Sequence, residues 1–274
     1  NAANKVALDT YKAAESPLKA LCRQRTLPNF KESNAIRLGE MGRLEPLDED
    51  GEIKATSRAE NGESMRLGTY ARGLTVSREL LINDDLNLLG DMTAALGEAA
   101  AQTENDELVK LFTSNPAMSD GTPVFDASRG NIGTAGAPSI DTLTVTRVSL
   151  RTRKGMDGKT IIAVEPRYLL VSAALETEAE KVLASIQPNK SDDVNPFGGK
   201  LSLLVEPRLT DNAWYVFADP ARLAAMQYAY LSSAQGVQIQ RTEAWDTLGL
   251  KFRAFLDFGC GWLDWRPVQK IPTQ

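Results

Sequence analysis

Apolar and polar positions along the chain set out one long helix, a polar hairpin before it, and a mixed series of helices and strands after it. Leu89, Met92, Leu96, Ala99 and Thr103 recur at spacings of three and four, and Leu108, Leu111 and Phe112 continue the stripe after a more polar break. Asp91, Glu98 and Glu104 lie off it. The run from Leu80 to Ser114 holds no proline, opens on Ile82-Asn83-Asp84-Asp85 and is stopped by Pro116. Asn and Asp before an apolar-periodic run start helices, and the two aspartates favour the positive end of the helix dipole. The pattern predicts a helix over residues 84–114, about 45 Å long at 1.5 Å per residue. Gly90 and Gly97 are one heptad apart and lower helix propensity, which marks them as places where another backbone comes close.

Residues 35–79 read differently. Ile36, Leu38, Met65, Leu67 and Thr69 alternate with period two, and Leu74 and Val76 add strand-favouring types. Asp48-Glu49-Asp50-Gly51 and Asn61-Gly62 are turn signals between them. The expectation is a long hairpin with a polar tip and little apolar surface of its own to bury. Such a hairpin is marginal in water, so another chain is expected to hold it. Residues 1–34 read as an arm: Ala2 to Glu15 form a short helix, Pro17 interrupts it and Pro28 marks an extended exit. The arm carries a net charge of +3 on an acidic chain. Contact with nucleic acid or with a neighbour's acidic face, and a merely solvated terminus, both fit that charge.

After the long helix, residues 115–139 form a glycine- and proline-rich connection. Ser139 or Asp141 caps a helix running to about Arg153, which Gly155 and Asp157-Gly158 end. A strand over Thr160–Val164, a helix over Tyr168–Ser185 and a loop over Pro188–Gly199 follow. Strands are expected at Leu201–Val205 and Trp214–Ala218, and a short helix from Asp219-Pro220 toward Met226. The last stretch gives strands at Val237–Arg241, Leu250–Asp257 and Gly261–Trp265. Helices and strands alternate without a regular βαβ rhythm, so the class is α+β.

Composition narrows the chemistry. The 274 residues are 42% hydrophobic and 24% charged, enough for one large or two smaller cores. No window reaches the eighteen or so unbroken apolar residues of a membrane span, and no secretory leader is recognised. The numbering begins at Asn1 without a methionine, and a trimmed or proteolytically matured chain is expected. A net charge of −5 and a pI of about 5.1 argue against a surface that grips nucleic acid all round. Cys22 and Cys260 read as two free structural thiols. Histidine is absent, which excludes Ser-His-Asp and Cys-His catalysis, His general bases and His-containing zinc sites. The closest acidic clusters, Asp192-Asp193 and Asp48-Glu49-Asp50, sit among turn residues and read as solvated. There is no Walker loop and no GxGxxG pattern. No catalytic residue, metal site or cofactor is expected.

The order of parts resembles the major capsid protein of tailed bacteriophages, the Hong Kong 97-type shell fold, and within it the Mu-type head subunits encoded beside a prohead protease. Leu67-Gly68-Thr69-Tyr70-Ala71-Arg72-Gly73-Leu74-Thr75-Val76-Ser77-Arg78, leading into Ile82-Asn83-Asp84-Asp85-Leu86, looks like the end of that family's extended hairpin running into its spine helix. Ile161 to Leu170, Asn195 to Lys200, Leu203 to Pro207 and Trp214 to Pro220 resemble its apical domain. Leu250 to Pro267, ending Asp264-Trp265-Arg266-Pro267, resembles its closing peripheral strand.

The resemblance implies an N-terminal arm over 1–34, an extended loop over 35–79, a peripheral domain over 80–140 and 237–274, and an apical domain over 141–236. It implies a structural protein rather than an enzyme, assembling as pentamers and hexamers into an icosahedral shell around double-stranded DNA held without sequence specificity. Portal and decoration proteins and a prohead protease are the further partners it implies, with assembly in the host bacterial cytoplasm and no membrane. Arg37, Arg43, Arg58, Arg66, Arg72 and Arg78, with Glu40, Glu45, Glu52, Glu60, Glu63 and Glu79, are the candidates for inter-subunit ion pairs along the hairpin. Some relatives join subunits through a loop lysine and a neighbour's asparagine, and Lys54 is the one lysine between Lys31 and Lys110. An encapsulin-like nanocompartment shell and an α+β enzyme working through carboxylates are the alternatives.

Overall fold

The computed structural model describes residues 2–38, 60–83, 88–184, 199–243 and 248–273. These fall into two compact units, each assembled from separated stretches of chain: residues 1–33, 65–114 and 227–261, and residues 34–64, 115–226 and 262–274. The division differs from the expected domain borders. Residues 115–140 and the C-terminal stretch from 262 belong with the second unit.

In the first unit, helix α1 (Ala2–Ala13) packs on the long helix α3 (Leu88–Ser114). The five-stranded sheet runs β1 (Cys22–Leu27), β8 (Met226–Leu231), β10 (Gly249–Trp262), β4 (Gly68–Ser77), with β9 (Val237–Glu243) also paired to β10. Helix α2 (Arg78–Ile82) follows β4. The expected spine helix is present from Leu88. Its first residues, Asp84 to Asn87, lie outside the described residues.

The buried face of α3 is turned from the predicted stripe. Thr93, Leu96, Ala100, Ala101, Glu104, Asn105, Leu108, Val109 and Phe112 are buried, while Ala99, Thr103 and Leu111 are half-buried. Glu104, read as lying off the stripe, is 0% exposed at its centre. What holds it there is a partner set from the amino-terminal segment. Lys19, itself buried, pairs with Glu104 and lies 3.3 Å from Glu15. Tyr11 donates to Glu104, and the Tyr11 and Tyr230 hydroxyls meet at 2.8 Å. The Lys19 ammonium also donates to Tyr230 at 3.1 Å and sits 5.1–5.8 Å from the ring centroids of Tyr11, Tyr228 and Tyr230. A buried charge is tolerated only when it is paired and hydrogen-bonded, and this one is both.

Within residues 2–33, the stretch up to Leu27 contributes side chains to this core, while Pro28 to Glu32 are exposed. Ala7, Leu18 and Leu21 are buried to 1% exposure or less, and β1 is a strand the sequence reading left out. Gly97 does mark a close backbone approach: a Cβ there would lie 2.2 Å from the Ala7 carbonyl oxygen. Helix α3 ends at Asn115, whose positive φ of 44° is a left-handed helix terminus.

The second unit is built on a four-stranded sheet, β11 (Val268–Pro272), β7 (Ala213–Ala218), β5 (Pro166–Val171), β6 (Ser202–Val205). Strand β5 runs parallel to β6 and antiparallel to β7. Helices α4 (Ile140–Arg151) and α5 (Glu176–Leu183) contribute Leu143, Leu150 and Ala179 to its core beside Trp214 and Val216. Ser139 caps α4 in a capping box with Thr142. The buried Arg153 guanidinium donates to the carbonyls of Gly130, Arg266 and Val268 and to Gln269, tying the α4 exit to the C-terminal segment. The unit also holds a two-stranded ribbon, β2 (Ser33–Leu38) with β3 (Glu60–Met65).

Three local expectations are corrected. Tyr168–Ser185 is not one helix: Leu169, Leu170 and Val171 are fully buried in the central strand β5, and helix begins only after them. A short continuous apolar run cannot be assigned by periodicity, and burial on both faces decided it. Thr160–Val164 is not a strand, because Ala163 adopts φ 48° and Ile161 makes only a lone bridge to Lys154. Asp219 to Met226 is a turn leading into β8 rather than a helix, with Asp219 bonding the Ala221 amide.

Two outcomes are expected. Gly97→Ala gains about 1 kcal/mol of helix propensity, but the clash with an immovable carbonyl costs about 1–3 kcal/mol. The net effect is a lower urea midpoint, and a higher one would show that α1 yields. Burial, with Glu104 second for Tyr11 and Tyr230 and with Asp211 beside Tyr215, raises the pKa of Tyr11, Tyr215 and Tyr230, and Tyr70 and Tyr228 are pushed up to about 12. These phenols keep their protons better in the folded state, so their stabilisation is complete below the unfolded tyrosine value of about 10 and is lost as pH rises beyond it. Thermal midpoints should fall steeply above about pH 10, with phenolate absorbance appearing together with unfolding.

Candidate assembly surfaces

No group of three or more acidic, cysteine or histidine side chains among the described residues could hold a metal ion, and no described helix is long and apolar enough to cross a membrane. What the described surface offers is exposed secondary structure. In the second unit, helix α4 buries Leu143, Thr146 and Leu150 and turns Ile140, Val145 and Val148 outward at 42%, 60% and 55% exposure. Beside it, Ile132, Gly133, Val145 and Gln269 line a groove of about 420 Å³. An apolar stripe left in water along a capped, rigid helix is the usual mark of a surface that another protein covers. Fully burying one valine is worth about 1.5 kcal/mol or more.

The inter-subunit candidates from the sequence scatter over both units. Arg43, Arg58, Glu40, Glu45, Glu52 and the crosslink candidate Lys54 lie outside the described residues. Arg37 and Glu60 belong to the β2–β3 ribbon. Glu63 is used within the chain: its carboxylate accepts from the Ser119 amide at 3.0 Å and from the Ser119 hydroxyl at 2.7 Å. Arg66, Arg72, Arg78 and Glu79 are exposed, and among the described residues none makes an ion pair. Arg72 lines a groove of about 550 Å³ with Tyr70, Leu96, Thr103 and Asp106, between edge strand β4 and helix α3. The structure thus brings Arg72 to a concave surface and takes Glu63 out of the exposed set. Sequence reasoning missed the α4 stripe, although Ile140, Val145 and Val148 lie at helical spacing on a helix it did expect. Both cysteines are free; Cys22 is buried and Cys260 partly so, and burial pushes the Cys260 thiol up to about 12.

The chain thus combines a unit built on a long helix with a second unit built on a four-stranded sheet, each assembled from discontinuous stretches. Solved structures match it over almost the whole chain. The capsid of Ralstonia phage GP4 aligns at a TM-score of 0.66 and 11% identity, covering 95% of this chain and 92% of that one. The capsid of cyanophage P-SCSP1u aligns at 0.65 and 11% identity, covering 93% and 87%. A virus-like particle from Pyrococcus furiosus aligns at 0.55 and 13% identity, covering 97% and 96%. The fold is the Hong Kong 97-type capsid fold. No curated protein matches the sequence. The chain belongs to the phage capsid protein family, whose model matches residues 62–271.

Replacing Val145 and Val148 together by glutamine should leave the stability of the isolated chain within about 0.5 kcal/mol, as for other surface substitutions, while lowering the fraction found in assemblies by sedimentation. Unchanged assembly would remove the α4 stripe from the interface.

Proposed function

We propose that this chain is the major head subunit of a tailed bacteriophage or prophage, assembling as pentamers and hexamers into an icosahedral shell that encloses double-stranded DNA. The observation that carries the reading is the family match over residues 62–271. The role is structural: the subunit acts by fitting its neighbours and performs no catalysis. Assembly takes place in the host bacterial cytoplasm, with a portal, decoration proteins and a prohead protease as further partners. The mature location is the virion.

Physical features support the self-assembly step. The β2–β3 ribbon has two strands of six residues, and in the described residues its sheet has no third. Two-stranded ribbons are marginal alone, so a neighbouring subunit is the natural support. Ion pairs along the ribbon contribute only about 0–1 kcal/mol each and serve register more than strength. Apolar area supplies more, at about 25 cal/mol per Å². The net negative charge suits a container whose contents must stay mobile, since strong neutralisation of phosphates would fix DNA to the wall. A shell that holds protein cargo instead of a genome is the second reading. It has less support: the virus-like particle of Pyrococcus furiosus aligns at a TM-score of 0.55, against 0.66 for the phage GP4 capsid.

Electron microscopy of the purified protein, with light scattering for its mass, tests the proposal. Closed shells or capsomer rings are expected. A 29.8 kDa monomer under every assembly condition would overturn it, and shells that contain protein cargo and no DNA when recovered from cells would favour the second reading.

A further inference from the structure

The first unit carries two charged surfaces of opposite sign, with Lys251 of the basic one half-buried and Arg253 exposed. Along α3, Asp91, Ala95, Glu98, Gln102 and Asp106 are exposed at spacings of three and four, one outward stripe opposite the buried face. Its carboxylates at 91, 98 and 106 extend over about 22 Å of helix at 1.5 Å per residue. Asp91 and Glu98 make no ion pair among the described residues, and Glu98 accepts only from Gln102, at 3.4 Å.

The β4–β10–β9 sheet has the opposite sign. Lys251 lies between Thr75 and Thr242 in register, and Arg253 between Gly73 and Gln240. Directly paired residues share a sheet face, so these two cations, the two threonines and Gln240 stand together on one side. Phe252, Ala254 and Ile239 point to the other side, where they pack against α3. Residues of this face, together with Leu74, Arg241 and Phe252 of the other, line a depression of about 520 Å³, and Gly73 places no side chain in it. Gln240 braces the Arg253 guanidinium, with Nε donating at 2.8 Å, and among the described residues no carboxylate pairs with Arg253. An oriented arginine without a carboxylate partner among the described residues, beside a lysine in a shallow trough, is suited to a row of carboxylates.

We infer that the acidic α3 stripe of one copy docks into the Lys251–Arg253 trough of a second copy. The inference rests on the proposed self-assembly and names the surfaces that carry one of its contacts. Charge complementarity selects the occupant, because the acidic row and the basic trough are both present on every subunit. The two patches differ, so the contact is heterologous: each copy offers its stripe to one neighbour and its trough to another. Such contacts close into rings when the rotation between copies allows it and otherwise extend as open filaments. Screened surface pairs give orientation and partner choice more than affinity, so the contact weakens with salt.

Charge reversal on the full chain tests this. Lys251→Glu with Arg253→Glu, and separately Asp91→Lys with Glu98→Lys, should each lower the assembled fraction by tenfold or more, while circular dichroism and the thermal midpoint of the unassembled chain stay at wild-type values. The four substitutions combined in one chain should restore assembly by exchanging the signs of both surfaces. If wild type assembles and either double variant assembles equally well, the inference fails and the proposed function stands. If the combined variant is no better than the doubles, the two surfaces do not meet and the inference fails likewise. Shells of the Lys251→Glu, Arg253→Glu variant that close normally but retain less DNA would assign the trough to nucleic acid and overturn the docking. Absence of assembly in wild type would instead overturn the proposed function.

Discussion

The burial of one carboxylate organises the first unit. Glu104 sits at 0% exposure in the middle of a 27-residue helix, where an isolated charge would cost far more than the fold could sustain. Lys19 and Tyr11 meet it from an amino-terminal segment almost a hundred residues away in sequence, and Tyr230 completes the set from β8. Each of these groups is itself buried, so none can leave without stranding another. Removal of one partner from such a pair typically costs about 3–5 kcal/mol, much of it the penalty of the charge left behind. The cluster therefore fixes the register of α1 on α3, which in turn sets Ala7 against Gly97.

The second unit depends on a different device. Its strand β7 is buried along its whole length, and buried polar groups gather around the α4 exit and β11. Arg153 satisfies three carbonyls with one guanidinium and lies 5.7 Å from the Trp265 ring centroid, with Arg129 at 5.1 Å from the same ring. The Trp214 indole donates to the Gly136 carbonyl at 2.8 Å. These contacts tie the irregular backbone at residues 130 and 136 to the α4 exit and to β7.

For a subunit that works by repetition, modest contacts suffice. A surface pair worth less than about 1 kcal/mol decides little in one interface and much when every copy repeats it. Oppositely charged surfaces on the same unit also disfavour wrong encounters, since like patches repel.

Much of the first unit's helical content could be read from the chain: the long α3, α1 up to Pro17, and in the second unit the Ser139 cap of α4. Local rules govern these, because capping, proline and 3.6-residue periodicity act within a few residues. The resemblance carried by Leu67 to Leu86 reached the fold family from sequence alone. The tertiary structure decided what depended on distant partners. Glu104 read only as an acid off the apolar stripe because nothing within a turn of it reveals Lys19. Leu169 to Val171 looked helical because only neighbours on both sides make it a central strand. The borders of the units were illegible for the same reason: each is made of stretches far apart in sequence, and β11, the last strand of the chain, pairs with β7 some fifty residues earlier. Which charges remain exposed is also a tertiary result. Glu63 and Arg72 look alike as hairpin charges, yet Ser119 takes the first, while β4 holds the second beside a groove.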